Sequence, residues 1–180
     1  MQKHKKLQMK KTSSSINISA DKLWDLLKDY HTVGTWIRNI DHSTGSGDTN
    51  FEGNPFAERT CHIAAAGYDI VKEKLNIFDP EKRQFGYIAF ESLPGFVLHA
   101  SNIWTVSEAG PNKSKLEMNI SLKVKPLMGA ILGGFMLKSF SKNIDEAFED
   151  LTIFAETGNV SPAKAKANRK FEKTTKKKAA

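Results

Sequence analysis

The sequence predicts an α+β fold in which a long C-terminal helix lies against an antiparallel sheet. Residues 127–156 read as a single helix. Its first half is apolar almost all round, through Leu127, Met128, Ala130, Ile131, Leu132, Phe135, Met136, Leu137 and Phe140. Its second half is amphipathic: Ile144, Ala147, Phe148, Leu151 and Phe154 fall on one stripe, with Lys142, Asp145, Glu146, Glu149 and Asp150 off it. Such a helix needs a large apolar cover, and the preceding chain offers mainly strands. The clearest of them, Lys115–Lys125, alternates Leu116, Met118, Ile120, Leu122 and Val124 with Lys115, Glu117, Asn119, Ser121 and Lys123. One covered face and one wet face is the pattern of an antiparallel sheet.

The other elements follow in order. Leu7–Ile18 reads as a first strand with Ile16 and Ile18 on one face. Ser19 suits the N-cap of a short helix Ala20–Lys28, with Asp21 in the first turn and Leu23, Trp24 and Leu27 as its inner stripe. A second short helix or turn, His31–Ile37, places Trp36 near its end. Asp41–Pro55 is rich in Gly, Ser, Asn and Asp and predicts a long loop or a weak strand with turns. A meander then runs through Phe56–Ala65, Tyr68–Phe78, Arg83–Glu91, Phe96–Val106 and Lys115–Lys125. Asp79-Pro80-Glu81 and Ala109-Gly110-Pro111-Asn112 supply turns. Pro126 stops the last strand, and Gly158 suits the C-cap of the long helix.

The 180 residues, 39% of them hydrophobic, predict one domain with basic ends. The net charge of +7 divides unevenly. Residues 1–11 carry five lysines and no acid, and residues 163–180 carry eight basic groups against Glu172. The body between them holds 14 basic groups against 19 acids, a net charge of −5. A folded nucleic-acid face is therefore not indicated. We expect a basic extension over 1–6, a domain over 7–158 and a basic, disordered tail over 159–180. The tail reads as a solubilising extension or as a weak contact for nucleic acid, the ribosome or an anionic membrane. The single cysteine, Cys61, excludes an internal disulfide framework. No secretory h-region follows the basic N-terminus, and Leu127–Leu137 is too short to span a membrane, so a cytoplasmic location is expected.

Register can be counted from the turns. A final hairpin centred on Pro111 makes Val106 oppose Leu116, Trp104 oppose Met118, Leu98 oppose Val124 and His99 oppose Lys123. In the earlier hairpin a three-residue turn Ala65-Ala66-Gly67 makes Ile63 oppose Asp69, Cys61 oppose Val71 and Arg59 oppose Glu73. The inner face of the second strand then reads Val71, Glu73, Leu75 and Ile77, which places a carboxylate opposite a guanidinium on an apolar concave face.

The segment Ile16-Asn17-Ile18-Ser19-Ala20-Asp21-Lys22-Leu23-Trp24, followed by Trp36, Arg59, Glu73-Lys74-Leu75, Tyr87, Trp104 and Glu156-Thr157-Gly158, resembles the START-like superfamily of polyketide cyclases, dehydrases and lipid-transfer proteins. The resemblance covers roughly residues 8–158. It implies a helix-grip fold: a curved antiparallel sheet of about six or seven strands wrapped around the long C-terminal helix, with two short helices after the first strand. It also implies a cavity for hydrophobic ligands between sheet and helix. The superfamily holds binders, transfer proteins and enzymes, so the fold does not choose among them.

Within that cavity Arg59 and Glu73 are the candidate polar pair. A buried ion pair of this kind fixes hairpin register, orients a ligand's polar head, or does acid–base work. Trp36, Tyr87 and Trp104 either line a pocket and stack on a flat ligand or are core aromatics. Met118, Met128 and Met136 offer an adaptable apolar wall or core filling, and Ile131 and Phe135 on the long helix join the candidate ligand-binding set. Gly129, Gly133 and Gly134 point either to a close approach of helix and sheet or to a flexible cavity entry. His4, His31, His42, His62 and His99 lack ligand spacing, so no metal is expected. No inward histidine accompanies Cys61, which argues against a thiol nucleophile. Phosphate-loop, dinucleotide and triad motifs are absent, and no cofactor is expected.

The leading expectation is a non-catalytic binder or carrier of a small hydrophobic, lipid- or polyketide-like molecule, monomeric or weakly dimeric. The alternatives are an aromatase/cyclase- or dehydratase-like enzyme using Arg59, Glu73 or Tyr87, and an interaction module held by its basic tails.

Overall fold

The computed structural model describes residues 3–65 and 68–178, with the side chains of 64–69 and 175–178 left aside. Seven antiparallel strands form one curved open sheet: β1 (Lys5–Thr12), β2 (Ile40–Ser46), β3 (Glu58–Ala65), β4 (Tyr68–Asp79), β5 (Gln84–Glu91), β6 (Val97–Gly110) and β7 (Lys113–Val124). Their spatial order is β1-β7-β6-β5-β4-β3-β2. Helix α1 (Ala20–Leu27) and a 3-10 helix, Tyr30–Thr35, link β1 to β2. The long helix α2 (Pro126–Thr157) lies in the curve of the sheet, and α3 (Pro162–Lys178) follows it. This is the helix-grip architecture.

β1 is shorter than the sequence predicts. Ser13 interrupts the ladder: its hydroxyl accepts the Leu116 N–H at 3.0 Å while its own N–H donates to the Leu116 carbonyl. The chain rejoins the sheet only at Ile16, which exchanges two backbone bonds with Ser114. Ser19 caps α1 through Lys22, and Gly158 ends α2 in the left-handed conformation at φ 71°. The loop-like 41–55 segment begins with a true strand, β2. Gly45 belongs there because the Phe56 ring covers its Cα; a Cβ would come within 2.2 Å of the ring.

The counted registers hold in the middle of each hairpin and slip near irregularities. Val106↔Leu116, Trp104↔Met118 and His99↔Lys123 pair as predicted, but a bulge pairs Val97, not Leu98, with Val124. Arg59↔Glu73 and Cys61↔Val71 pair as predicted. Ala65 pairs with Tyr68 after a register shift in place of the three-residue turn; Ala66 and Gly67 lie outside the described residues. A second shift, between Leu75 and Ile77, turns Ile77 outward and brings Phe78 into contact with Trp24 inside.

The main core gathers Leu23, Trp24, Tyr30, Trp36, Phe85, Trp104 and Leu116 with Ile144, Phe148 and Leu151 of α2. A smaller cluster sets Leu7, Leu122 and Val124 against Met136, Leu137 and Phe140. Gly129 lets α2 approach β1 and β7: a Cβ there would sit 2.6 Å from a Val124 methyl and 3.1 Å from the Lys5 side chain. Gly133 faces Leu7, whereas Gly134 faces open space. Close approach therefore accounts for two of the three glycines.

Both expected ends need correction. Lys5 and Lys6 of the basic extension 1–6 belong to β1, and residues 1–2 lie outside the described residues. The tail 159–180 is helical over Pro162–Lys178, with residues 179–180 outside the description. Its anchor is Asp150, expected off the apolar stripe yet fully buried. Asp150 accepts bonds from the Arg38 backbone at 2.8 Å, from the Arg38 guanidinium at 2.7 Å and from the Ser161 hydroxyl. Ser161 in turn accepts the Lys164 N–H. Lys164 is buried, and its ammonium donates to the carbonyls of Ile40 and Asp41. Burial lowers the Lys164 pKa from the ordinary lysine value.

Candidate functional site

Between the concave sheet face and α2 lies a cavity of about 370 Å³. A second lobe of about 420 Å³ adjoins it and shares Tyr87, Asn102, Trp104 and Phe140 in its wall. The alternation along β5 and β6 puts Tyr87 and Ala89, and Ala100, Asn102 and Trp104, on the concave side. Val33, Ile37 and Ile40 close one end, and Ser92, Leu93 and Pro94 of the β5–β6 loop line another part of the rim.

Arg59 and Glu73 are the only charged residues of the 370 Å³ lobe among the described residues. The Arg59 Nε donates to the Glu73 Oε2 at 2.7 Å, and its Nη2 lies 2.5 Å from the same oxygen. Its Nη1 donates to the Tyr30 carbonyl. The guanidinium carbon stands 4.8 Å from the Tyr30 ring centre and 4.6 Å from that of Tyr87, so the cation is held between two aromatic faces. Burial by itself would depress the Arg59 pKa; the groups around it, Glu73 foremost with Cys61 and Tyr87, together raise it and keep the group charged. Cys61 Sγ lies 3.7 Å from the Glu73 carboxylate, and burial pushes its thiol up to about 12. Burial, reinforced by Glu73, raises the Tyr87 hydroxyl too.

One neutral polar contact completes the wall. Asn102 Nδ2 donates to the Tyr87 hydroxyl at 3.2 Å. The Asn102 Oδ1 and the Trp104 Nε1 are buried without a hydrogen-bond partner. Parity could have placed Asn102, because it lies on the same face as Trp104 and Val106; its polarity obscured it. The loop 92–94 and Val33 carry no sequence signal that marks them as wall.

Of the eight residues expected to bind ligand, Arg59, Glu73, Tyr87 and Trp104 meet in the 370 Å³ lobe, and Met118 lines the second. Trp36 does not line either lobe: it is buried beside Trp104, ring centres 6.1 Å apart, as a core aromatic. Ile131 and Phe135 also lie elsewhere. They are 67% and 74% exposed on the outer side of α2, because Gly129 and Gly133 occupy the side turned to the sheet. The α2 residues at the cavity come later, with Phe140 in both lobes and Ile144 and Ala147 in the second. Among the described residues no cluster of His, Cys, Asp and Glu is placed to hold a metal ion. His42 and His62 instead stack on the outer sheet face, 3.9 Å apart.

A largely apolar cavity between the sheet and the long helix of a helix-grip fold defines a class of proteins with a space open to small molecules. The chain belongs to the family of polyketide cyclase/dehydrase and lipid transport proteins, whose model matches residues 9–153. No curated protein sequence matches it significantly. Among solved structures it is similar to norcoclaurine synthase from Thalictrum flavum in complex with dopamine and hydroxybenzaldehyde, at 16% identity and a TM-score of 0.64. That match covers 83% of this chain and 88% of the synthase. It is likewise similar to the Zhui aromatase/cyclase from a Streptomyces species, at 12% identity and TM-score 0.64, over 87% of this chain and all of that one. XoxI from Bacillus cereus is 18% identical with TM-score 0.64, over 81% and 92% of the two chains. At these identities the likeness is one of fold.

Proposed function

We propose that the protein binds and carries a small, uncharged, largely apolar molecule in the cavity between sheet and α2. One observation carries this reading: among the described residues the only charges in the wall of the 370 Å³ lobe neutralise each other, and Arg59 is enclosed by Tyr30, Tyr87 and Glu73. Among the described residues an anionic head group would find no free cation there, and the remaining wall is mostly aliphatic and aromatic, as ligand pockets are. Tyr87 and Asn102 offer the polar contact, one suited to a single hydroxyl or carbonyl on the ligand.

Cyclase- or dehydratase-type catalysis is the competing reading, since Tyr87, Cys61 and Glu73 share the cavity. General acid–base work favours groups that titrate near neutrality. Burial holds the Cys61 thiol and the Tyr87 hydroxyl protonated well above it, which favours a carrier. A cytoplasmic setting is consistent with the buried free thiol.

Native mass spectrometry of the purified full chain tests the proposal. A co-purifying neutral molecule, or uptake of Nile red after its removal, is expected. Protein that carries nothing and leaves Nile red unbound overturns it. Chemical conversion of the co-purified molecule by fresh protein would favour the enzyme.

A further inference from the structure

The first half of α2 carries an exposed apolar stripe that the cavity does not use. Leu127, Ile131 and Phe135 recur every four residues and are 71%, 67% and 74% exposed. Single exposed hydrophobes are ordinary, but three aligned on one helix face mark an interaction surface. Over the length of the stripe the charges are of one sign, and beyond it the same face turns acidic at Asp145 and Glu149, with Lys142 3.9 Å from Glu146. From Pro126 to Ile144 the helix has no acidic residue, and its two charged residues, Lys138 and Lys142, continue the same face. Lys125 precedes the stripe, and all three lysines are exposed. The basic start of β1 packs on the other side of the helix: the Lys5 side chain lies against Gly129, with Lys3 and Lys6 exposed beside it in sequence. This contrasts with the net charge of −5 on the central body as a whole.

We infer that this face docks the protein peripherally on an anionic lipid surface, with Leu127, Ile131 and Phe135 in the interfacial layer and the lysines on the head groups. A second copy of the chain fits less well, because two like faces would bring their lysines together. Helix α2 lies on the membrane and does not cross it, since no helix among the described residues is long and apolar enough to span one. Phe140, little more than one turn beyond Phe135, lines both cavity lobes from the opposite side of the helix, so the cavity lies behind α2 when the stripe docks. The inference rests on the outer face of α2 and is independent of what the cavity holds.

The test is co-sedimentation of the full chain with vesicles of phosphatidylcholine, alone and mixed with phosphatidylserine. Binding to the mixed vesicles, weakened by salt, is expected. Phe135→Ser and Ile131→Ser change exposed positions and should each weaken binding at least about ten-fold while leaving the thermal melt in place. Lys138→Gln should weaken it about five-fold, the worth of one lysine near an anionic surface. Absence of binding to the mixed vesicles overturns the inference. So does equal binding by the stripe variants, or loss of binding through Lys166→Gln and Lys170→Gln on α3 alone. A concentration-dependent dimer that Phe135→Ser dissociates would assign the face to self-association and overturn it as well.

Discussion

Arg59 and Glu73 show how a counted register becomes chemistry. Their pairing follows from the β3–β4 hairpin, and their burial follows from the concave face on which that register puts them. Desolvation of two charges offsets much of their attraction, but removing one partner leaves the other buried and unpaired. Arg59→Ala and Glu73→Gln should therefore each lower stability by about 3 kcal/mol, measured as a fall in the urea midpoint. The apolar double substitution Arg59→Met with Glu73→Leu should recover most of the loss. Single variants as stable as the parent would mean that the pair is not held in the folded core. The same register made the pair legible in the sequence. Asn102 and Asp150 escaped because a polar residue near an apolar stripe reads as exposed until its distant partners are known: Tyr87 for one, Arg38 and Ser161 for the other.

Elements were legible where period and punctuation agree. Ser19, Pro126 and Gly158 mark the start of α1, the start of α2 and the end of α2, and the structure keeps those boundaries within a residue. Strand ends were less legible, because a ladder stops where a side chain such as the Ser13 hydroxyl replaces a backbone partner. The α2 glycines separate two physical roles in one helix. Gly129→Ala should destabilise the fold by about 1–3 kcal/mol, since the new methyl meets Val124, which is fully buried and cannot swing away. Gly134→Ala should stabilise it by about 0.5–1 kcal/mol, since that position faces open space in a helix interior. Thermal melts of the two variants check the prediction, and equal shifts would contradict the close approach of α2 to β1.

At the scale of the molecule, a buried polar knot helps to attach α3. Asp150 collects Arg38 from the segment after the 3-10 helix and Ser161 from the α2–α3 link, while Lys164 reaches the start of β2. Asp150→Ala should leave Arg38 and Ser161 without their shared acceptor and detach α3 before the sheet unfolds. Hydrogen exchange checks this: α3 amides should lose protection while those of β6 and β7 keep theirs, and an unchanged α3 would show that other contacts hold it. The sequence alone determined the α+β class, the long helix, the central registers and the facing of Arg59 and Glu73. These are consequences of period, turns and strand parity, all local. Tertiary structure decided which side of α2 meets the sheet, and with it the exposure of Ile131 and Phe135. It also decided the burial of Asp150 and the folding of the basic tail into α3. Those outcomes depend on contacts between residues far apart in the chain, where α2 is apolar on nearly every side and only packing selects the side that is covered.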